Sequence, residues 1–73
     1  MARNRYWVVP DGGNWKVTFE GRILSTHLVK SAAVEAGTKA AKANQPSQLT
    51  VLKQNGQIEY EHTYGDDPFP PNG

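Results

Sequence analysis

Asn55-Gly56 is the feature that most constrains what this chain can fold into. Within the stretch Ser47 to Tyr64 it separates two runs of β-forming residues, and Asn-Gly in that setting is the strongest short hairpin signal, because both residues tolerate positive φ. As a two-residue type I′ loop it sets a register: Gln54 faces Gln57, Lys53 faces Ile58, Val51 faces Tyr60 and Leu49 faces His62. One side then carries Leu49, Val51, Ile58, Tyr60 and His62, the expected core set. The other carries Gln48, Thr50, Leu52, Gln57, Glu59, Glu61 and Thr63, the expected solvent set.

A second hairpin is expected near the start. Tyr6, Trp7, Val8 and Val9 are β-formers, Pro10-Asp11-Gly12-Gly13-Asn14 is a turn in composition, and Trp15, Val17 and Phe19 then alternate with Lys16, Thr18 and Glu20. If Pro10 faces Trp15, then Val8 faces Val17 and Tyr6 faces Phe19, which puts five large side chains on one side. The opposite side carries Arg5, Trp7, Val9, Lys16, Thr18 and Glu20. Trp7 and Val9 are out of place on a solvated face.

Gly21 permits a tight turn or bulge, and Arg22 to Leu28 is long enough for a third strand of ambiguous alternation, with Ile23 on one face and Leu24 and Leu28 on the other. Ser31 is the expected N-cap of a helix from Ala32 to about Ala43. Glu35 early and Lys39 and Lys42 late suit the helix dipole. Ala33, Ala36, Gly37, Ala40 and Ala41 form a small-residue face that lets the helix lie close to a sheet, and Asn44-Gln45-Pro46 ends it.

The chain has 73 residues and no cysteine, so an apolar core must hold it without disulfides or thiolate-bound metal. No apolar run approaches the roughly 20 residues of a membrane span, and Met1-Ala2-Arg3-Asn4-Arg5 leads into a strand. A cytoplasmic protein with no membrane, metal or cofactor partner is expected. Pro68, Pro70 and Pro71 make residues 66–73 an extended tail. The expected fold is therefore a single α+β domain over residues 1–65. It has two antiparallel hairpins and a short extra strand, in the order β-β-(β)-α-β-β, with one helix packed on one face of the sheet.

Catalysis has little to build on. Ser25-Thr26-His27 brings a hydroxyl near an imidazole, but nothing nearby supplies a third member, so no catalytic residue is assigned and no enzyme is expected. His62 reads as a histidine at the core edge. Asp66-Asp67 with Glu59 and Glu61 lacks the loop spacing of a calcium site.

The formal charge of +1 conceals an asymmetry. Residues 1–46 hold seven Lys and Arg against three Asp and Glu, a net of +4, whereas residues 47–73 hold one against four, a net of −3. An exposed Trp7 and Val9 with Arg5, Lys16 and Phe69 suit a protein contact, either a partner or a second copy meeting basic half to acidic half. In a further reading, Phe69 and its prolines fold back over Trp7 within the same chain. The competing functional reading is a nucleic-acid surface in which Arg3, Arg5, Lys16 and Arg22 hold phosphates around a stacking Trp7. Glu59 and Glu61 on the same outer face oppose that reading.

Taken together, several motifs resemble a family of small bacterial domains of unknown function. They are Trp7-Val8-Val9-Pro10, Gly13 followed by Trp15-x-Val17 and Glu20-Gly21, the Ala-rich helix after Ser31, Asn55-Gly56 with Ile58, and Tyr64-Gly65-Asp66-Asp67-Pro68-Phe69-Pro70-Pro71. Trp7 stands where the family is expected to carry histidine or another polar residue in many members. The resemblance implies a compact bacterial or phage-borne α+β domain that usually stands alone, and it brings no activity, cofactor or catalytic residue.

Overall fold

The alternation of Tyr6, Val8, Trp15, Val17 and Phe19 folds as its spacing requires. The computed structural model describes residues 3–65. Strands β1 (Asn4–Asp11) and β2 (Asn14–Phe19) pair antiparallel with Tyr6 opposite Phe19, Val8 opposite Val17 and Pro10 opposite Trp15. Asp11 and Asn14 also pair, so the loop shrinks to Gly12-Gly13, both at positive φ (56° and 93°). This is the type I′ geometry, which matches the twist of the flanking strands.

A second two-residue turn, Glu20-Gly21, leads into β3 (Arg22–His27). Here Glu20 sits at φ 51°, where side chains other than glycine are disfavoured. Across β2 and β3, Val17 faces Ser25 but Thr18 faces Ile23, so Leu24 is the extra residue of a bulge. That bulge explains the broken alternation of this segment.

Helix α1 (Lys30–Ala43) starts earlier than expected. Val29 occupies the N-cap and makes no side-chain capping bond, and Ser31 lies in the first turn. Only Leu28 and Val29 separate β3 from α1, so the chain direction leaving β3 sets the start and the capping preference of Ser31 does not. Glu35 consequently falls outside the first turn, which holds no acid. At the other end Asn44 Nδ2 donates to the Ala40 carbonyl, and Asn4 Nδ2 donates to the Asn44 carbonyl at 2.7 Å. The Gln45–Pro46 peptide bond is cis.

After α1, β4 (Ser47–Leu52) enters the sheet beside β1 and parallel to it, with Tyr6 beside Leu49 and Val8 beside Val51. β5 (Ile58–Tyr64) then pairs antiparallel with β4, and the five strands lie in the order β3-β2-β1-β4-β5. The expected α+β fold is the one observed; the parallel β1–β4 seam was not among the expectations.

The β4–β5 turn departs from the two-residue form. Gly56 N–H donates to the Lys53 carbonyl, Lys53 N–H donates to the Gln57 carbonyl, and only Gly56 has positive φ (92°). The loop is thus the three residues Gln54-Asn55-Gly56, with Asn55 Oδ1 accepting from Gln57 N–H at 3.0 Å. Leu52 now faces Ile58, and a bulge at Glu59 restores the expected pairs Val51–Tyr60 and Leu49–His62. Ile58 therefore leaves the core set and is 54% exposed.

The core lies between α1 and the sheet. Val8, Leu49, Val51, Ala33 and Ala41 are fully buried, and Tyr6, Trp15 and Val17 nearly so. A Cβ at Gly37 would meet Leu49 Cδ1 at 3.0 Å and Val8 Cγ2 at 3.1 Å, so the small-residue face does bring α1 against the strands. Ser47 Oγ, also fully buried, donates to the Ala41 carbonyl and ties the helix end to β4. Tyr6 and Phe19 stack at 4.7 Å. The helix packs over β1, β2, β4 and β3, leaving β5 at the margin of its footprint. Tyr60 and His62, expected in the core, are exposed for that reason.

Candidate functional site

Because α1 covers one side of the sheet, strand alternation delivers every second residue to the other. Among the described residues no element packs over that outer side. Trp7 is at its centre on β1, flanked by Thr18 on β2 and Thr50 on β4, with Ile23 and Glu61 completing a row across all five strands. Trp7 is half-buried, and Thr50, between it and Glu61, is only 2% exposed although the sequence pattern assigned it to solvent. Thr50 Oγ1 and Glu61 Oε2 are 3.4 Å apart.

The next row runs Thr26, Lys16, Val9 on β3, β2 and β1. Since Val8 lies beside Val51, the following residues Val9 and Leu52 share the outer side, and Leu52 faces Ile58. Trp7, Val9, Leu52 and Ile58 thereby form a contiguous apolar patch spanning three strands. Ile58 was missed because the one-residue difference in loop length transfers it to the outer face.

The basic residues expected here divide into two groups. Lys16 is half-buried next to Val9, and Arg5 is exposed on β1 two residues before Trp7. Arg3 precedes β1, and Arg22 opens β3 at the far end opposite Phe19. The structure therefore brings Arg5, Trp7, Val9 and Lys16 together, whereas Arg22, expected on the same face, lies opposite Phe19 on the helix side because its neighbour Ile23 takes the outer position. Phe69, and with it the expected tail and its cover over Trp7, lies outside the described residues.

Glu59 is not on this face. The bulge turns it towards α1, where its carboxylate pairs with Lys30 Nζ. Lys30 also lies 5.3 Å above the Trp15 ring, a cation–π contact at the helix start. Tyr60, His62 and Tyr64 follow one another along β5, with ring centroids 5.2 Å and 6.2 Å apart, and Lys42 lies 5.9 Å over Tyr64.

Ser25 Oγ and His27 Nε2 are 2.9 Å apart. A hydroxyl so placed is the first half of an acyl-transfer pair, yet among the described residues no carboxylate or other group bonds the second ring nitrogen to orient it. No described group of three or more His, Asp or Glu is arranged to hold a metal ion. No helix is long and apolar enough to cross a membrane.

Compared with known proteins, residues 6–64 match a family model described as an uncharacterized protein conserved in bacteria (DUF2188). No curated protein and no solved structure matches the chain.

Proposed function

We propose, for a chain that belongs to this family of uncharacterized bacterial proteins, that it is a non-enzymatic binding module which associates with a second copy through the outer face of its sheet. The observation that carries this reading is the patch of Trp7, Val9, Leu52 and Ile58 on the sheet side that α1 leaves open. A tryptophan with apolar neighbours in the middle of such a face is the composition of an interface centre, with Arg5, Lys16 and Glu61 as its polar rim. The strand order supports it further. On the outer side Arg5 and Lys16 lie on β1 and β2, and Glu61 lies on β5, at the far edge of the strand order. A two-fold axis over the patch sets Arg5 and Lys16 of each copy towards Glu61 of the other. The Ser25–His27 pair, with no orienting partner among the described residues, supports a non-enzymatic role.

Sedimentation equilibrium at high micromolar concentration tests this on the wild type, Trp7→Thr and Ile58→Thr. Threonine keeps the β propensity of these strand positions. A wild-type dimer that both substitutions weaken is the expected result; a monomeric wild type overturns the reading.

One observation favours the nucleic-acid reading. With Glu59 turned towards α1, one of the two carboxylates opposing it has left the face of Arg5, Trp7 and Lys16. In that reading Arg3 extends the phosphate track, whereas Arg22, opposite Phe19 on the helix side of the sheet, does not join it. Titration of labelled single-stranded and duplex DNA at two salt concentrations tests it, and an isotherm that does not weaken with salt removes it.

A further inference from the structure

Helix α1 stops short of β5, so the helix side of that strand stays open. Tyr60, His62 and Tyr64 occupy it, opposite the buried Val51, Leu49 and Ser47 of β4, and their rings meet one after another along the strand. Tyr60 and His62 are exposed and Tyr64 is half-buried. α1 supplies the facing wall: Lys30 at its start pairs with Glu59, and Lys42 in its last turn lies over Tyr64. Helix and strand thus run side by side in one direction. The trough between them has aromatic rings along one wall and, at the Tyr60 end, an open groove of about 500 Å³ lined by Lys30, Ser31, Val34, Glu59 and Tyr60.

We propose that the segment following β5, residues 66–71, turns back and lies in this trough of its own chain, with Phe69 in the groove between Val34 and Tyr60. The point of departure is fixed. Gly65 has φ 74°, a left-handed conformation that turns the chain out of the strand direction, and it packs so closely on the Gln45 side chain that a Cβ there would collide with it. Gln45 Nε2 in turn donates to the Lys42 carbonyl at 3.0 Å, so the chain leaves β5 beside the end of α1, at the Tyr64 end of the trough. On the outer side the residues nearest this exit are Thr63 and Gln48, which offer no apolar surface. The lengths match: the four residues from Gly65 to Phe69 span about 12 Å as polyproline II, and the four from Tyr64 back to Tyr60 span about 13 Å of strand. Pro68, Pro70 and Pro71 favour that extended helix, and aromatic-lined grooves are the surfaces on which such segments dock. The charges agree as well. Asp66-Asp67 emerge beside Lys42, which has no carboxylate partner among the described residues. Only Phe69 and the prolines reach the other end, where Lys30 and Glu59 already neutralise each other.

Nuclear magnetic resonance on the full chain reads this contact directly. Cross-peaks from the Phe69 ring protons to the Val34 methyls and the Tyr60 ring are expected. Phe69→Ala should abolish them and move the Val34 and Tyr60 signals, which are remote from position 69 in sequence, while unchanged signals from the buried Val8 and Leu49 show that the variant keeps its core. Random-coil shifts for residues 66–71 without such cross-peaks, or Val34 and Tyr60 signals indifferent to Phe69→Ala, overturn the proposal. Cross-peaks from Phe69 to the Trp7 indole overturn it too, because they put the segment on the outer face. An equal mixture of isotope-labelled and unlabelled chains identifies whose segment is bound: cross-peaks confined within one chain support the proposal, and cross-peaks between chains assign the trough to a second copy and overturn it.

Discussion

Replacing Gly37 by alanine sets two opposing effects against each other, and the structure decides between them. Glycine in a helix interior costs about 1 kcal/mol relative to alanine, so on propensity alone Gly37→Ala stabilises α1. The new methyl, however, would lie 3.0 Å from Leu49 Cδ1, 3.1 Å from Val8 Cγ2 and 3.7 Å from Val17 Cγ1. Carbon atoms pack best at roughly 3.5–4.0 Å, so two neighbours must each retreat by about half an ångström. Leu49 and Val8 are fully buried at the centre of the core, where overpacking costs roughly 1–3 kcal/mol. The packing loss of about 2 kcal/mol exceeds the propensity gain, leaving a net destabilisation of about 1 kcal/mol and a Tm lowered by roughly 4–8 °C. Urea unfolding of the wild type and Gly37→Ala measures the net, and the pair Lys39→Ala and Lys39→Gly, at an exposed position of the same helix, measures propensity alone. The reasoning fails if alanine is favoured over glycine at position 37 by as much as at position 39.

Other substitutions probe the rest of the fold. Leu49→Ala, which empties a fully buried position between β1 and α1, is expected to cost about 3 kcal/mol in chemical unfolding, a large share of the roughly 4–11 kcal/mol available to a chain this size. Glu20→Gly relieves the positive φ at the β2–β3 turn and is expected to raise Tm by a few degrees, equivalent to about 0.5–1 kcal/mol. In the β4–β5 loop, Gly56→Ala should cost about 1–2 kcal/mol and Asn55→Ala less than about 1 kcal/mol, since only Gly56 has positive φ and Asn55 gives up one hydrogen bond; equal costs would point back to a type I′ turn. Glu59→Gln should alter stability by less than about 1 kcal/mol because the Lys30–Glu59 pair is a third or more exposed, and what it contributes should fade with added salt.

The register of the first hairpin was legible because two large alternating sets and a glycine-rich turn admit one pairing, and Tyr6–Phe19, Val8–Val17 and Pro10–Trp15 are the pairs found; the four-residue loop expected between Pro10 and Trp15 closes further, to Gly12-Gly13. The close approach of α1 was equally legible in Ala33, Gly37 and Ala41, which share a face and are all buried. Asn55-Gly56 misled by one residue. The same dipeptide serves a two-residue loop with both residues at positive φ or a three-residue loop with glycine alone there, and only the pairing of Leu52 with Ile58 distinguishes them. That difference carried Ile58 to the outer face and Glu59 to the helix side, altering both the apolar patch and its charge. The start of α1 was hidden because the route out of β3 overrode the capping preference of Ser31. Tyr60 and His62 were misassigned because strand alternation tells which side a residue faces, whereas exposure depends on how far the helix reaches.

The parallel seam between β1 and β4 bears on how the chain acquires its structure. Every other strand pairing joins neighbours through a short turn, but Val8 beside Val51 and Tyr6 beside Leu49 join opposite ends of the sequence. Both local units, β1–β2–β3 and β4–β5, can begin to form alone, yet Tyr6 and Val8 on one and Leu49 and Val51 on the other meet only when the seam closes. Closing it costs the entropy of a loop that includes two strands and the helix, so seam formation is the step expected to limit the folding rate. A break in the chain between α1 and β4 would leave two fragments that are each incomplete. Mixed together, they should recover helix and sheet in one concerted step, with β4–β5 supplying to the larger fragment the edge that β1 lacks.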